Sequence, residues 1–435
     1  MTFTAIFLYL KRETQQDSKY FKKSELIVIS CLAIITSLLA GFSGHFYING
    51  DWAKHMAILY DLSHSAWPVY FHPPDIPDRV TQLIYYFGYY LTPAFLLKIF
   101  GSNFLFPILF TYSAFGLCLS FAWVYRSIGR TSIWLGIAFI FIGGLDLLGW
   151  LTIKKSLPEF ATHIEWWAES QTQYPSVINI IFWVPQHALA AFIGWPLIRK
   201  FLGNKQYWGA SLTLASLPLW SPFICVGLVP YVLYLLFKNK PKWIEVTPCS
   251  LYLGTLAIIY LSFYSSTSQS LNLNVTKHSE FILYIRMFYF SLIEFGVLAA
   301  LVWFGWDQKA RSERRNLFFI VIGTLFLIPF IHSTGWNDWA MRVSIPSLYI
   351  LWIWFIENFT RKDLQISIRV SMALILLICL WSNLGEYQRS LDWASLESRH
   401  IWPFHSTMVD FYDGGGYQKQ YFSDRPPSFF FKQAQ

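Results

Sequence analysis

The chain has 435 residues, of which 55% are apolar, 20% aromatic and only 13% charged. Soluble domains carry about 25% charged residues, so this composition excludes a soluble core with one anchor and predicts a polytopic membrane protein. The formal net charge of +8 does not mark a nucleic-acid partner, because 20 of the 33 Lys and Arg sit in short clusters between apolar runs and the basic residues are not gathered on one soluble face.

The segment 1–24 carries Lys11, Arg12, Lys19, Lys22 and Lys23 ahead of an apolar run that starts at Glu25. No small-residue cleavage site stands in the right place, so 1–24 is expected to be a cytoplasmic N-terminus and the run after it a retained helix. Runs long enough to cross ~30 Å of hydrocarbon number about eleven. They fall near 25–43, 104–125, 132–151, 179–198, 207–219, 221–237, 248–265, 281–305, 316–333, 343–359 and 366–383. The fifth and sixth are short and break at Leu219-Trp220-Ser221-Pro222, where proline restricts the serine before it.

With the N-terminus inside, the clusters Arg126/Arg130, Arg199/Lys200/Lys205, Lys238/Lys240/Lys242, Lys309/Arg311/Arg314/Arg315 and Arg361/Lys362/Arg369 all become cytoplasmic, as the positive-inside rule requires. That layout keeps the apolar stretch 82–100 out of the membrane count. Gly88, Thr92, Pro93 and Lys98 suit a helix lying along the surface. The expected fold class is an all-α polytopic membrane protein with its membrane domain over 25–383. A large first outer loop (44–103) carries interfacial helices, a second spans 152–178, and 384–435 forms an outer-face tail. The five cysteines lie in or beside apolar runs, which predicts neither a disulfide framework nor a metal knuckle.

The residues able to carry chemistry follow in chain order. Asn49-Gly50-Asp51 reads as a turn opening a short interfacial helix, with Asp51 and His55 one turn apart on one face. Asp51 fits a general base, and equally a cap that starts a surface helix. Tyr85-Tyr86-Phe87-Gly88-Tyr89-Tyr90 forms an aromatic ledge, suited to stacking on sugar faces or to the headgroup layer. Asp146, after Gly143-Gly144, lies near a helix end and is expected to face the bundle interior. Glu165 and Trp166, in His163-Ile164-Glu165-Trp166-Trp167, and His187, in Val184-Pro185-Gln186-His187, look like a pocket rim. Arg286 and Glu294 share a helix face ~12 Å apart; Arg286 could meet a phosphate, and Glu294 reads as structural glue. Asp338 and Arg342, in Trp336-Asn337-Asp338-Trp339-Ala340-Met341-Arg342, offer a two-pronged phosphate grip or a simple interfacial ion pair. No Walker-type loop, GxGxxG or HExxH is present, which argues against a nucleotide-driven pump and a zincin protease.

The order of parts, a first crossing, an outer loop with Asp51, an aromatic helix ending in Lys98-Ile99-Phe100-Gly101-Ser102-Asn103, and a crossing ending in Arg126 and Arg130, resembles the GT-C superfamily of integral-membrane glycosyltransferases. The likeness is to the protein-mannosyltransferase and aminoarabinose-transferase type. It covers about 25–155 by motif and the remainder by topology only. In those families the first outer loop carries the catalytic acid, and the stretch before the second crossing often reads PPLYYLLL…LFG. Here that stretch is Leu83 to Gly101, with Pro73-Pro74 displaced upstream. The family places an acidic pair in the loop where this chain has Asp51-Trp52, a single acid, with Asp61 as the alternative base. The stretches GDWAKH, HIEWW, VPQHAL and NDWAMR also look like recurrent signatures of bacterial membrane proteins of unassigned role.

The resemblance implies an inverting transfer of sugar from a polyprenyl-phosphate donor to a surface glycan, lipid or protein, on the outer face of a bacterial plasma membrane. Asp51 would be the base, and His55 would orient it or touch the acceptor. Arg342, with Arg286 as second choice, would meet the donor phosphate. Tyr85, Tyr86 and Trp166 would line the sugar site. Some relatives use a divalent metal and others none; the single loop acid argues mildly against one. The alternatives are a transporter or flippase for a lipid-linked substrate, centred on Arg286 and Glu294, and an assembly subunit without catalysis. The clustering of polar groups in outer segments and not at the midplane favours the transferase.

Overall fold

The fold is taken from a computed structural model that describes residues 21–46, 49–71, 80–160, 162–168, 172–264, 274–275, 281–332, 337–395, 407–408 and 422–423. It is a mainly helical membrane protein. Five described helical segments are long and apolar enough to cross a bilayer: Ser102–Ile128, Pro222–Asn239, Trp243–Tyr264, Ile285–Gly305 and Ile366–Leu391. The eleven expected runs all fall on helices, but several are short or interrupted.

Burial separates the helices into a centre and a jacket. Ile345–Phe359 is largely apolar and buried on nearly every side, Pro185–Gly203 is buried over most of its length, and the two pack on each other. A helix without a polar face belongs inside a bundle. The helix Trp243–Tyr264 is the opposite case. It buries only Cys249 and exposes Trp243, Ile244, Leu251, Ile258 and Leu261. An apolar face this extensive is stable against hydrocarbon and a liability in water.

Three runs differ from the continuous crossings expected. The stretch 132–151 divides into Ile133–Ile140 and Asp146–Lys154, with residues 141–145 unwound between them. The freed backbone is satisfied by neighbours: Leu145 N–H donates to Ile293 O, Val177 N–H to Ile142 O, and Asn383 Nδ2 to Phe141 O. Non-helical backbone inside an apolar bundle persists only when its polar groups find partners in the surrounding protein. The second interruption faces the first, where 281–305 passes through a π-helical turn at Leu292–Gly296. The run 179–198 is also two helices, Val177–Trp183 and Pro185–Gly203, hinged at Val184.

The last helix runs from Ile366 to Ser395, past the end expected for the final crossing. Short strands, absent from the all-α expectation, tie later chain to the first loop. Tyr70–Phe71, Thr81–Leu83 and Phe422–Ser423 form one antiparallel ribbon. Periodicity could not show pairings of two or three residues across this sequence separation.

Candidate functional site

The first loop builds its helix, Asp51–His64, with nearly every side chain buried. Asn49 makes the turn: its Oδ1 accepts from Asp51 N–H at 3.1 Å and its Nδ2 donates to Phe182 O at 3.0 Å. Trp52, fully buried against Phe42, donates its indole N–H to the same carbonyl at 2.9 Å. The hinge at Val184 makes this possible. Ending a helix there leaves Phe182 O and Trp183 O without helical partners, and the loop helix supplies the donors.

Asp51 is therefore not needed as the cap. Its side chain is 34% exposed, with Lys54 Nζ 4.0 Å away. Burial pushes the carboxyl up, but Lys54, His55 and Arg342 outweigh it and hold Asp51 below the usual carboxylate range. It stands ionised at neutral pH and faces a positive environment.

His55 lies one turn on and is fully buried. Its Nε2 is 3.2 Å from Trp183 O, a carbonyl that can only accept, so Nε2 carries the proton. Nδ1 is then the acceptor for Tyr90 O–H at 2.6 Å. Burial, and after it Lys54, pushes His55 down to about 3. The expected role of orienting Asp51 or touching an acceptor is not what its contacts provide: both ring nitrogens are engaged elsewhere, and His55 fixes the loop helix against the aromatic ledge.

The ledge itself is the helix Gly88–Phe100 and the turn before it. A Cβ at Gly88 would come within 2.6 Å of the Trp220 indole, so glycine is required for the ledge to seat on that ring. Tyr85 O–H donates to Tyr86 Oη at 2.8 Å, and Tyr86 Oη accepts from Arg342 Nη1 at 3.1 Å. Arg342 reaches this point on a short helix, Asp338–Val343. Asn337, in the left-handed region at φ 50°, caps it through a 3.4 Å bond from Ala340 N–H. Asp338 at the first position pairs with Arg342 one turn later at 2.9 Å, and the guanidinium lies over Phe223 at 5.4 Å. Arg342 and Asp51 are near enough to act on each other electrostatically. Against Tyr86 stands the His187 ring, at 5.1 Å, with Nδ1 bonded to Ser221 Oγ at 2.7 Å. Asp51, His55, Tyr85, Tyr86, His187, Asp338 and Arg342, drawn from four separated stretches of sequence, thus form one connected site.

Beside the ledge is an apolar cavity of about 420 Å³. Leu62, Val69 and Leu83 line it from the loop, Phe87 and Leu91 from the ledge, and Leu256, Ile259 and Phe263 from the helix Trp243–Tyr264. Its size is in the range of ligand pockets, and its walls carry almost no polar groups.

The remaining expected residues lie elsewhere. Asp146 and Glu165 are buried at the interrupted helices, next to Glu294. Trp166 is 49% exposed and packs edge-on to His163, which bonds Glu386 at 2.9 Å. Arg286 is exposed on its helix and joins neither group. Asp61, the alternative base, is buried and its Oδ2 accepts from Met408 N–H at 2.7 Å, so it anchors returning chain. Tyr90, Ser221 and Trp183 belong to the site without having been singled out for it; Tyr90 was visible as part of the aromatic run, whereas nothing local marks the other two. Among the described residues no group of three or more His, Cys, Asp or Glu is placed to hold a metal ion. No protein-family model, curated protein or solved structure matches the chain.

Proposed function

We propose that this protein is a membrane glycosyltransferase of the GT-C kind, with about eleven crossings and its site on the outer face of a bacterial plasma membrane. The observation that carries the reading is a partly exposed Asp51 within electrostatic reach of the Arg342 guanidinium, near an apolar cavity lined from the same loop and ledge. The donor is a polyprenyl-phosphate sugar, its isoprenoid in the cavity and its phosphate against Arg342, where a planar fork grips oxygens in pairs. The acceptor is a hydroxyl of a surface glycan, lipid or protein. Asp51 takes the acceptor proton as the new bond forms at the anomeric carbon and the bond to phosphate oxygen breaks, with inversion. Polyprenyl phosphate leaves with the electron pair, and Arg342 meets its charge. Tyr85 and Tyr86 supply the sugar platform.

A deletion strain complemented with wild type or Asp51→Asn at equal protein level tests this. Loss of one sugar from a surface product, with accumulation of the lipid-linked donor, is the expected result. Full complementation by Asp51→Asn removes the reading.

A second reading is a carrier for a lipid-linked substrate. What favours it is the pair of facing interruptions at 141–145 and Leu292–Gly296, since broken helices with acids at the break are characteristic of transporters. It predicts that the lipid-linked sugar stays on the inner leaflet in the deletion strain, and that Asp51→Asn moves it normally.

A further inference from the structure

The carboxyl groups at these facing interruptions play no part in the transfer reaction. Asp146 opens the helix after the unwound stretch, and Glu294 lies in the π-helical turn opposite. Both are almost fully buried, and their carboxyl groups are within hydrogen-bonding reach of each other. Each has one oxygen, Asp146 Oδ1 and Glu294 Oε2, that no donor reaches. Glu294 Oε1 is occupied by the Trp167 indole N–H at 2.7 Å.

Glu165 closes the cluster from the second loop. Its Oε1 accepts from Ser176 N–H at 2.8 Å, and the buried Asn179 amide lies beside the carboxyl group. The space is tight: a Cβ on Gly144 would collide with Glu294 Oε2. The other groups acting on the pair are Glu165 and the Cys379 thiol from the last helix, with the Tyr174 phenol facing Glu294. Among the described residues no Lys, Arg or His forms an ion pair with either carboxyl group.

Two carboxylates in contact, away from water and without a cation, do not both ionise; one proton between them satisfies both unbonded oxygens. Intramembrane acids in series are also the means by which bundles move protons. Glu165 continues the pair towards the loop, and His163 follows near the surface, bonded to Glu386, which also pairs with Arg389.

We propose that Asp146 and Glu294 form a proton-binding site that locks the two interrupted helices together, reached from the loop through Glu165 and His163. The site is independent of Asp51 and of the transferase reading. Loss of the proton places two like charges across the seam, so the interruptions part as the site empties.

Infrared spectroscopy of the purified full-length protein in nanodiscs tests it. At neutral pH the wild type is expected to show a protonated-carboxyl carbonyl band that shifts in heavy water. Asp146→Asn and Glu294→Gln are each expected to remove it, because an amide N–H takes the place of the proton. Each should also keep or raise the Tm at high pH, where the wild type loses stability, so either variant alone assigns the band. Absence of the band in folded wild type overturns the proposal, as does a band that survives both substitutions. Stabilisation of the wild type by sodium over choline at equal ionic strength, lost in the variants, also overturns it, by assigning the site to a metal ion.

Discussion

Removing Arg342 separates its structural duty from its chemical one. Arg342→Leu leaves Asp338, whose side chain is only 16% exposed, beside a hydrocarbon in place of the guanidinium now 2.9 Å away. Breaking a buried ion pair on one side costs about 3–5 kcal/mol. Both partners retain some solvent contact, so the lower end, about 3 kcal/mol, applies here. At about 2 °C per kcal/mol for a large domain the Tm in nanodiscs should fall by roughly 6 °C. Replacing Asp338 as well removes the stranded charge, so Arg342→Leu with Asp338→Leu should recover most of that loss, with a coupling of about 2 kcal/mol in a double-mutant cycle. Sugar transfer should not recover. A donor that stabilises a developing oxyanion is worth about 10²–10³-fold, and both the single and the double variant lack it. Tryptophan fluorescence melts and surface-glycan analysis read the two effects on the same samples. A double variant that transfers sugar at the wild-type rate refutes the assignment of Arg342 to the leaving phosphate, and strictly additive stability changes refute the ion-pair account.

Other consequences are smaller in scope. His55 is held down to about 3 against an ordinary value of 6.5, so between those values the unfolded chain takes up a proton that the folded chain refuses. Its contribution is complete above pH 6.5 and is lost as pH falls towards 3, at no more than about 1.4 kcal/mol per pH unit; His55→Gln should flatten that part of the Tm–pH curve, and an unchanged slope contradicts the burial argument. Gly88→Ala forces a methyl into the Trp220 ring. Such overpacking costs about 1–3 kcal/mol and should lower both Tm and transfer, because Tyr85, Tyr86 and Tyr90 move with the ledge. Leu83→Trp fills part of the apolar cavity. It should raise the KM for lipid-linked donor while leaving the fold intact, and an unchanged KM removes the isoprenoid from this cavity.

Much of this arrangement was visible in the sequence, for definite reasons. Each expected apolar run lies largely on helix, because a long apolar stretch has few other stable forms in hydrocarbon. Asp51 and Arg342 stood out as charges at the ends of apolar runs, and the tyrosine run announced the ledge. Their convergence was not legible, since it depends on how distant helices pack. The unwound stretch 141–145 hid inside an apolar run because Gly143-Gly144 signals close approach without saying whether the helix continues. Glu294 read as glue because its partner Asp146 comes from a different helix. His55 appeared to be a reactive neighbour of Asp51; only the carbonyl of Trp183, freed by the hinge at Val184, shows that its ring nitrogens are already engaged.

The most direct test of Asp51 as the base uses purified wild type and Asp51→Asn in nanodiscs, matched for Tm. Each is incubated with lipid-linked sugars extracted from the deletion strain and with envelope acceptors, and release of polyprenyl phosphate is followed by mass spectrometry. The account predicts release coupled to one new glycosidic bond for wild type, and a loss of at least 10²-fold for Asp51→Asn, the usual contribution of a positioned base. Equal release by both proteins contradicts it.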